Sequence, residues 1–190
     1  MARVTQAQIE AALEHGIDIP GRRVFLHGGV DEDTIGRAIR GLYLLSDVNQ
    51  QPIELFVSSY GGELDEAFAL HDVTRTVRAP IHTVALGKCM SAAPLLVACG
   101  HRGERWAAEH TQFMLHDAMV DVAEGSPAYV LGHAEAARAT MKRYAQLLGK
   151  YTKKPAAHWA RMFNGKSDRF FSADDAVLWG LVDQLWNEKG

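Results

Sequence analysis

Two stretches decide the fold class: Ile53-Glu-Leu-Phe-Val-Ser-Ser-Tyr-Gly-Gly62 and Ile81-His-Thr-Val-Ala-Leu-Gly-Lys-Cys-Met-Ser91. Each begins with a β-branched and aromatic run of strand length and stops at glycine, and each is followed by helical spacing. Leu64, Phe68 and His71 begin the helix after the first, and Ser91 to Cys99 forms the helix after the second. Working outward, Arg23-Val-Phe-Leu-His27 is an earlier strand that stops at Gly28-Gly29, and Ile35, Ile39, Leu42 and Leu45 carry its helix. Strands alternating with helices at this spacing predict an α/β layered domain with largely parallel strands, because each crossover helix returns the chain to the same edge.

The flanks extend the pattern. Thr5-Gln-Ala-Gln8 reads as a capping box opening a short helix that ends near Gly16, so residues 1–21 form an N-terminal helix and linker. Arg105-Trp-Ala-Ala108 and Gln112-Phe-Met-Leu-His116 are two short strands. From Ser126-Pro127, an N-cap and N1 pair, Val130, Ala134, Ala137, Met141, Tyr144, Leu148 and Tyr151 alternate spacings of four and three. That is one long helix over 126–151 with a narrow apolar seam, which suits either a helix of a neighbouring subunit or the domain's own sheet. A last helix runs from the cap Ser172 to Gly180.

At 190 residues and 47% hydrophobic composition the chain supports one domain with a core. The formal charge of -3, from 20 basic and 23 acidic residues spread along the chain, argues against a nucleic-acid surface. No stretch reaches the roughly 18 apolar residues of a membrane span, and no apolar leader follows Met1, so a soluble cytoplasmic protein is expected. Cys89 and Cys99 lie in one apolar stretch and read as free buried thiols. No metal or cofactor is expected.

A serine hydrolase needs a base for its hydroxyl, a carboxylate to orient the base, and amide donors for the oxyanion. Ser91 follows a strand and opens a helix, where unpaired amides would lie beside a nucleophile; the same position is also that of an ordinary helix cap. His116 ends a strand and can project into a cleft, a position that an ordinary structural histidine, one of nine in the chain, also takes. Asp117 beside it points to the opposite face and is a poor orienting partner. Asp168, in Lys166-Ser-Asp-Arg-Phe-Phe-Ser172, lies in a loop before a capped helix and reads equally as a solvated carboxylate paired with Arg169. Gly61 could bring a second amide close, or simply form a turn. Lys88, three residues before Ser91, offers a Ser-Lys dyad as the second-ranked arrangement. Asn164-Gly-Lys-Ser167 resembles the end of a P-loop but lacks the earlier glycine, since Ala160 stands there.

Together these segments resemble the proteolytic subunit of the Clp protease, from about Arg22 to about Leu185 and in that family's order. Gly87-Lys-Cys-Met-Ser91 is similar to its nucleophile turn, Phe113-Met-Leu-His116 to its histidine strand and Ser59-Tyr-Gly-Gly62 to its Ser-Pro-Gly-Gly loop. The most specific match is Asp168-Arg-Phe-Phe-Ser-Ala-Asp-Asp-Ala-Val-Leu-Trp-Gly-Leu-Val-Asp183. The resemblance implies a ClpP/crotonase-like superhelix of strand-strand-helix units, with 126–151 as a protruding handle helix. It implies Ser91 as nucleophile, His116 as base, Asp168 as orienting carboxylate, and the amides of Gly61 and Ala92 as oxyanion donors. It further implies homo-oligomers of heptameric rings, stacked in pairs, acting on unfolded polypeptides or peptides.

The departures bear on this. Tyr60 replaces the loop proline, and Asp117-Ala-Met-Val-Asp-Val-Ala-Glu124 replaces the family's Gln-Pro and paired glycines. An unfoldase ATPase is a candidate partner, but the chain before Arg22 has no recognisable axial-loop segment to specify one. The alternatives are a non-catalytic or regulatory ring subunit, which would not need the triad, and a crotonase-fold acyl-CoA enzyme, which has no use for this Ser/His/Asp set.

Overall fold

The computed structural model describes residues 5–119, 126–163 and 167–186. Most of the P-loop-like run Asn164-Gly-Lys-Ser167 and the second half of the segment after His116 lie outside them.

The chain begins with α1 (Gln6–Glu14), β1 (Ile17–Asp18), β2 (Arg23–Val30) and α2 (Glu32–Val48). Then come β3 (Ile53–Gly62), α3 (Leu64–Thr74), β4 (Ile81–Met90), α4 (Ala93–Ala98), β5 (Arg105–Ala107) and β6 (Gln112–Leu115). The long α5 (Pro127–Tyr151) is followed by α6 (Ala156–Phe163), β7 (Arg169–Phe171), α7 (Ala173–Trp179) and β8 (Gln184–Leu185). This mixed α/β architecture agrees with the expected fold. Among the described residues no helix is long and apolar enough to cross a membrane.

The sheet is ordered β1-β2-β3-β4-β5-β8, with β2, β3, β4, β5 and β8 parallel. Its alternation decides what is buried: Val24 and Leu26 face inward on β2 while Arg23 and Phe25 face outward. Ile35, Leu42 and Leu45 of α2, Leu70 of α3 and Leu95 and Leu96 of α4 close the core over the inward face.

β4 forks the sheet. Thr83 to Ala85 pair with β5, whereas Lys88 to Met90 pair with β6, so one strand feeds two neighbours. The antiparallel β7 then covers the outer edge of β6. This fork carries the end of β4 alongside the end of β6, and it is what brings distant parts of the sequence to one place.

The caps are those the sequence specifies. Thr5 and Gln8 form a capping box on α1, and Ser172 and Asp175 form another on α7. α7 ends on Gly180 at φ 74, a left-handed C-cap that glycine adopts without a Cβ penalty.

Four expectations change. Gly28-Gly29 does not end β2; it produces an irregular register after which the strand continues to Val30. The helix expected from Ser91 starts at Ala93, because Ser91 sits at φ 57 and cannot join a right-handed helix. β1, β7 and β8, at two or three residues, are too short to show alternation in the sequence. The seam of α5 divides: Tyr144 and Leu148 are buried against the domain, whereas Val130 is exposed, as are its neighbours Tyr129 and Leu131 outside the seam.

Candidate active site

Ser91 stands just past β4 with a backbone that few non-glycine residues adopt. Two hydrogen bonds hold it there. Its amide donates to the Met114 carbonyl at 2.8 Å, continuing the β4–β6 ladder by one step. Its carbonyl accepts from the Tyr144 hydroxyl at 2.7 Å, reaching down from α5. Burial pushes the Tyr144 hydroxyl well above its usual pKa, so it remains a donor.

The capping alternative does not hold for Ser91. The N-cap of α4 is Ala92 with no side-chain cap, and Pro94 lies in the first turn, where no amide is needed. The Ser91 hydroxyl instead faces His116, with Oγ and Nε2 2.8 Å apart. His116 lies one residue beyond β6, and its Nδ1 is 2.6 Å from the Asp117 main-chain carbonyl. A carbonyl can only accept, so Nδ1 carries the hydrogen and the Nε2 lone pair points at the serine hydroxyl.

Asp168 lies one residue before β7. The β6–β7 ladder pairs Phe113, Met114 and Leu115 with Phe171, Phe170 and Arg169 and ends there, one residue short of His116 and of Asp168. Among the described residues Asp168 accepts no hydrogen bond and joins no ion pair, with Arg169 included. The Asp117 carboxylate turns back to the amide of Ala118 at 2.8 Å, so this residue serves His116 through its backbone alone.

The two oxyanion candidates differ. Ala92 is fully buried, and among the described residues its amide donates to no protein acceptor. Gly61, at φ 96, lies against the nucleophile: a Cβ there would collide with the Ser91 side chain and come within 3.0 Å of the Ala92 nitrogen. Its amide is engaged, donating to Ser59 Oγ at 3.0 Å.

Lys88 does not form the dyad. Its ammonium lies 4.7 Å from the centroid of the Tyr60 ring. Both cysteines are free and buried, and burial pushes their thiols up, that of Cys99 to about 11, which suits packing rather than chemistry.

A groove of about 690 Å³ opens beside Asp117, the chain neighbour of His116, lined among others by Ala118, Met141, Ala145, Ala160 and Phe163. Its walls are mostly small and apolar side chains of α5 and α6. Tyr144, Ser59 and the Asp117 carbonyl escape the sequence reading of the site. Tyr144 counts there only as an apolar seam position, Ser59 only as part of a glycine loop, and a main-chain carbonyl has no side-chain signal.

A strand-borne serine at a strained turn, an imidazole aimed at it and a glycine loop against it define a place where acyl transfer can occur. The same chain matches the family described as Clp protease over residues 18–189, from β1 past β8. That match spans nearly all of the sequence, and the chain belongs to the Clp protease family.

Proposed function

We propose that this protein is a serine peptidase subunit in which Ser91 is the nucleophile and His116 the general base. The observation that carries this reading is the 2.8 Å approach of His116 Nε2 to Ser91 Oγ, in the tautomer that can take the proton. As the serine oxygen bonds to the carbonyl carbon of a peptide, its proton passes to Nε2 and the carbonyl becomes an oxyanion. Among the described residues the Ala92 amide is free to donate to it, and the glycine loop at Gly61 lies against the same centre. The imidazolium then returns the proton to the leaving amine, and water repeats the sequence on the acyl-enzyme. Asp168, next in the chain to the Arg169 that pairs with Leu115, supplies the carboxylate that stabilises the imidazolium once its side chain turns toward Nδ1.

The substrate is an extended peptide segment, such as an unfolded polypeptide provides. The groove between α5 and α6, which reaches Asp117 beside the base, gives one substrate side chain an apolar seat. Membership of the family and the exposed half of α5 support assembly into rings of this chain, with the active sites inside the compartment.

Hydrolysis of an internally quenched, unstructured peptide tests the activity. Cleavage should be measurable in the wild type and fall to background in both Ser91→Ala and His116→Ala. Cleavage that persists in both variants would remove Ser91 and His116 from the mechanism.

A further inference from the structure

The carbonyl oxygen of Ser91 and the nitrogen of Ala92 belong to one peptide unit, and its two ends have different partners. The oxygen accepts from the Tyr144 hydroxyl at 2.7 Å, and among the described residues no other donor reaches it. The Ala92 amide donates to no protein acceptor among the described residues, although Ala92 is fully buried. Buried amides without a partner are rare in folded proteins. A trans peptide points its C=O and its N–H in opposite directions, so the bond to Tyr144 turns the Ala92 hydrogen away from that hydroxyl. A Cβ built on Gly61 would lie 3.0 Å from the Ala92 nitrogen and would also meet the Ser91 side chain, so the nitrogen and the nucleophile border one space.

Little else holds this peptide. Ser91 sits at φ 57, where a residue with a Cβ is strained. Its own amide bond to Met114 fixes the preceding peptide and not this one. Tyr144 is firmly seated: the residue is 2% exposed, and its ring stacks on Phe163 with centroids 4.9 Å apart. We propose that Tyr144 is a positioning residue whose hydroxyl, by anchoring the Ser91 carbonyl, aims the Ala92 amide at the oxyanion of the transition state. This rests on the peptidase reading above. An oxyanion donor works because it is oriented before the charge develops. Without the anchor, the strain at Ser91 can relax by turning the peptide, which carries the amide off its line.

Tyr144→Phe deletes the hydroxyl and keeps the ring. In cleavage of the quenched peptide its kcat should fall about ten- to hundredfold, up to the loss of a whole oxyanion donor, with KM little changed. A displaced nucleophile would lower kcat too, so the deciding readout is the atom that takes the negative charge. Matched peptide esters and thionoesters acylate a serine through the same steps, but in the thionoester the charge develops on sulfur, a weak hydrogen-bond acceptor. The loss in Tyr144→Phe should be about ten- to hundredfold on the ester and less than about threefold on the thionoester. Tyr144→Met, which fills the space with a flexible apolar chain, should show the same split.

If the wild type cleaves the quenched peptide, yet the folded variants lose nothing in kcat or lose equally on ester and thionoester, the positioning role is overturned and the peptidase reading stands. Failure of both variants to fold overturns it as well, since Tyr144 is then a structural group. If the wild type cleaves neither peptide nor ester, and a fluorophosphonate leaves Ser91 unmodified, both claims fail.

Discussion

At the scale of single residues, the arrangement separates what holds the imidazole from what stabilises its charge. His116 is already oriented by a main-chain carbonyl, that of Asp117, at 2.6 Å. A neutral carbonyl fixes the tautomer, but it compensates an imidazolium far less than a carboxylate does. Asp168→Asn should therefore keep the fold and lower turnover of an unstructured peptide by up to about 10⁴-fold, since an amide can also hold the imidazole in the wrong tautomer. Asp117→Asn should have little effect, because the bonding atom is backbone and the side chain only reaches Ala118. Near-normal turnover in Asp168→Asn would mean that the main-chain carbonyl alone serves the base. Ser91 and His116 were legible as candidate residues because both stand at strand ends; their 2.8 Å contact was not, since it depends on the fork in β4.

Among the elements, the ends of helices and strands are locked together by one buried ion pair. Arg105 of β5 donates through Nε to Asp183 at 2.8 Å, and through Nη1 to the carbonyls of Ala98 and Tyr151, at the ends of α4 and α5. Asp183 also accepts from the amides of Gly103 and Arg105. Burial pushes the Asp183 carboxyl up, but Arg105 and these amides outweigh it and hold it below the usual value. A carboxylate depressed on folding contributes stability above its unfolded pKa of about 4, and that contribution is lost as pH falls through the folded value. Asp183→Asn leaves a buried guanidinium short of its partner and should cost about 3 kcal/mol at pH 7. The gap to wild type should narrow below about pH 4 in denaturant titrations; a constant gap across that range would contradict the ion-pair account. The strand-helix alternation and both capping boxes were readable from residue order because they are local. β7 was not, since three residues carry no period, and its pairing with β6 fixes the chain directly after Asp168.

For the whole molecule, the two halves of α5 have different work. Leu148 is fully buried against the domain, while Tyr129, Val130 and Leu131 are exposed on a half-helix with no partner among the described residues. Charge in the buried half should cost several kcal/mol, order of magnitude, and unfold the subunit. Charge in the exposed half should act only on association. Val130→Glu should thus lower the mass seen by light scattering while far-UV circular dichroism stays near wild type, whereas Leu148→Glu should lose both. Wild-type mass in Val130→Glu would remove this half-helix from the assembly. The central claim joins the scales: a serine activated by an imidazole across the fork, in a chain of the Clp protease family. Its most direct test is reaction with a fluorophosphonate followed by peptide mapping in a mass spectrometer. The account predicts one label per chain, on Ser91, absent from Ser91→Ala and from His116→Ala. Label on another residue, or label on Ser91 that survives His116→Ala, would contradict it.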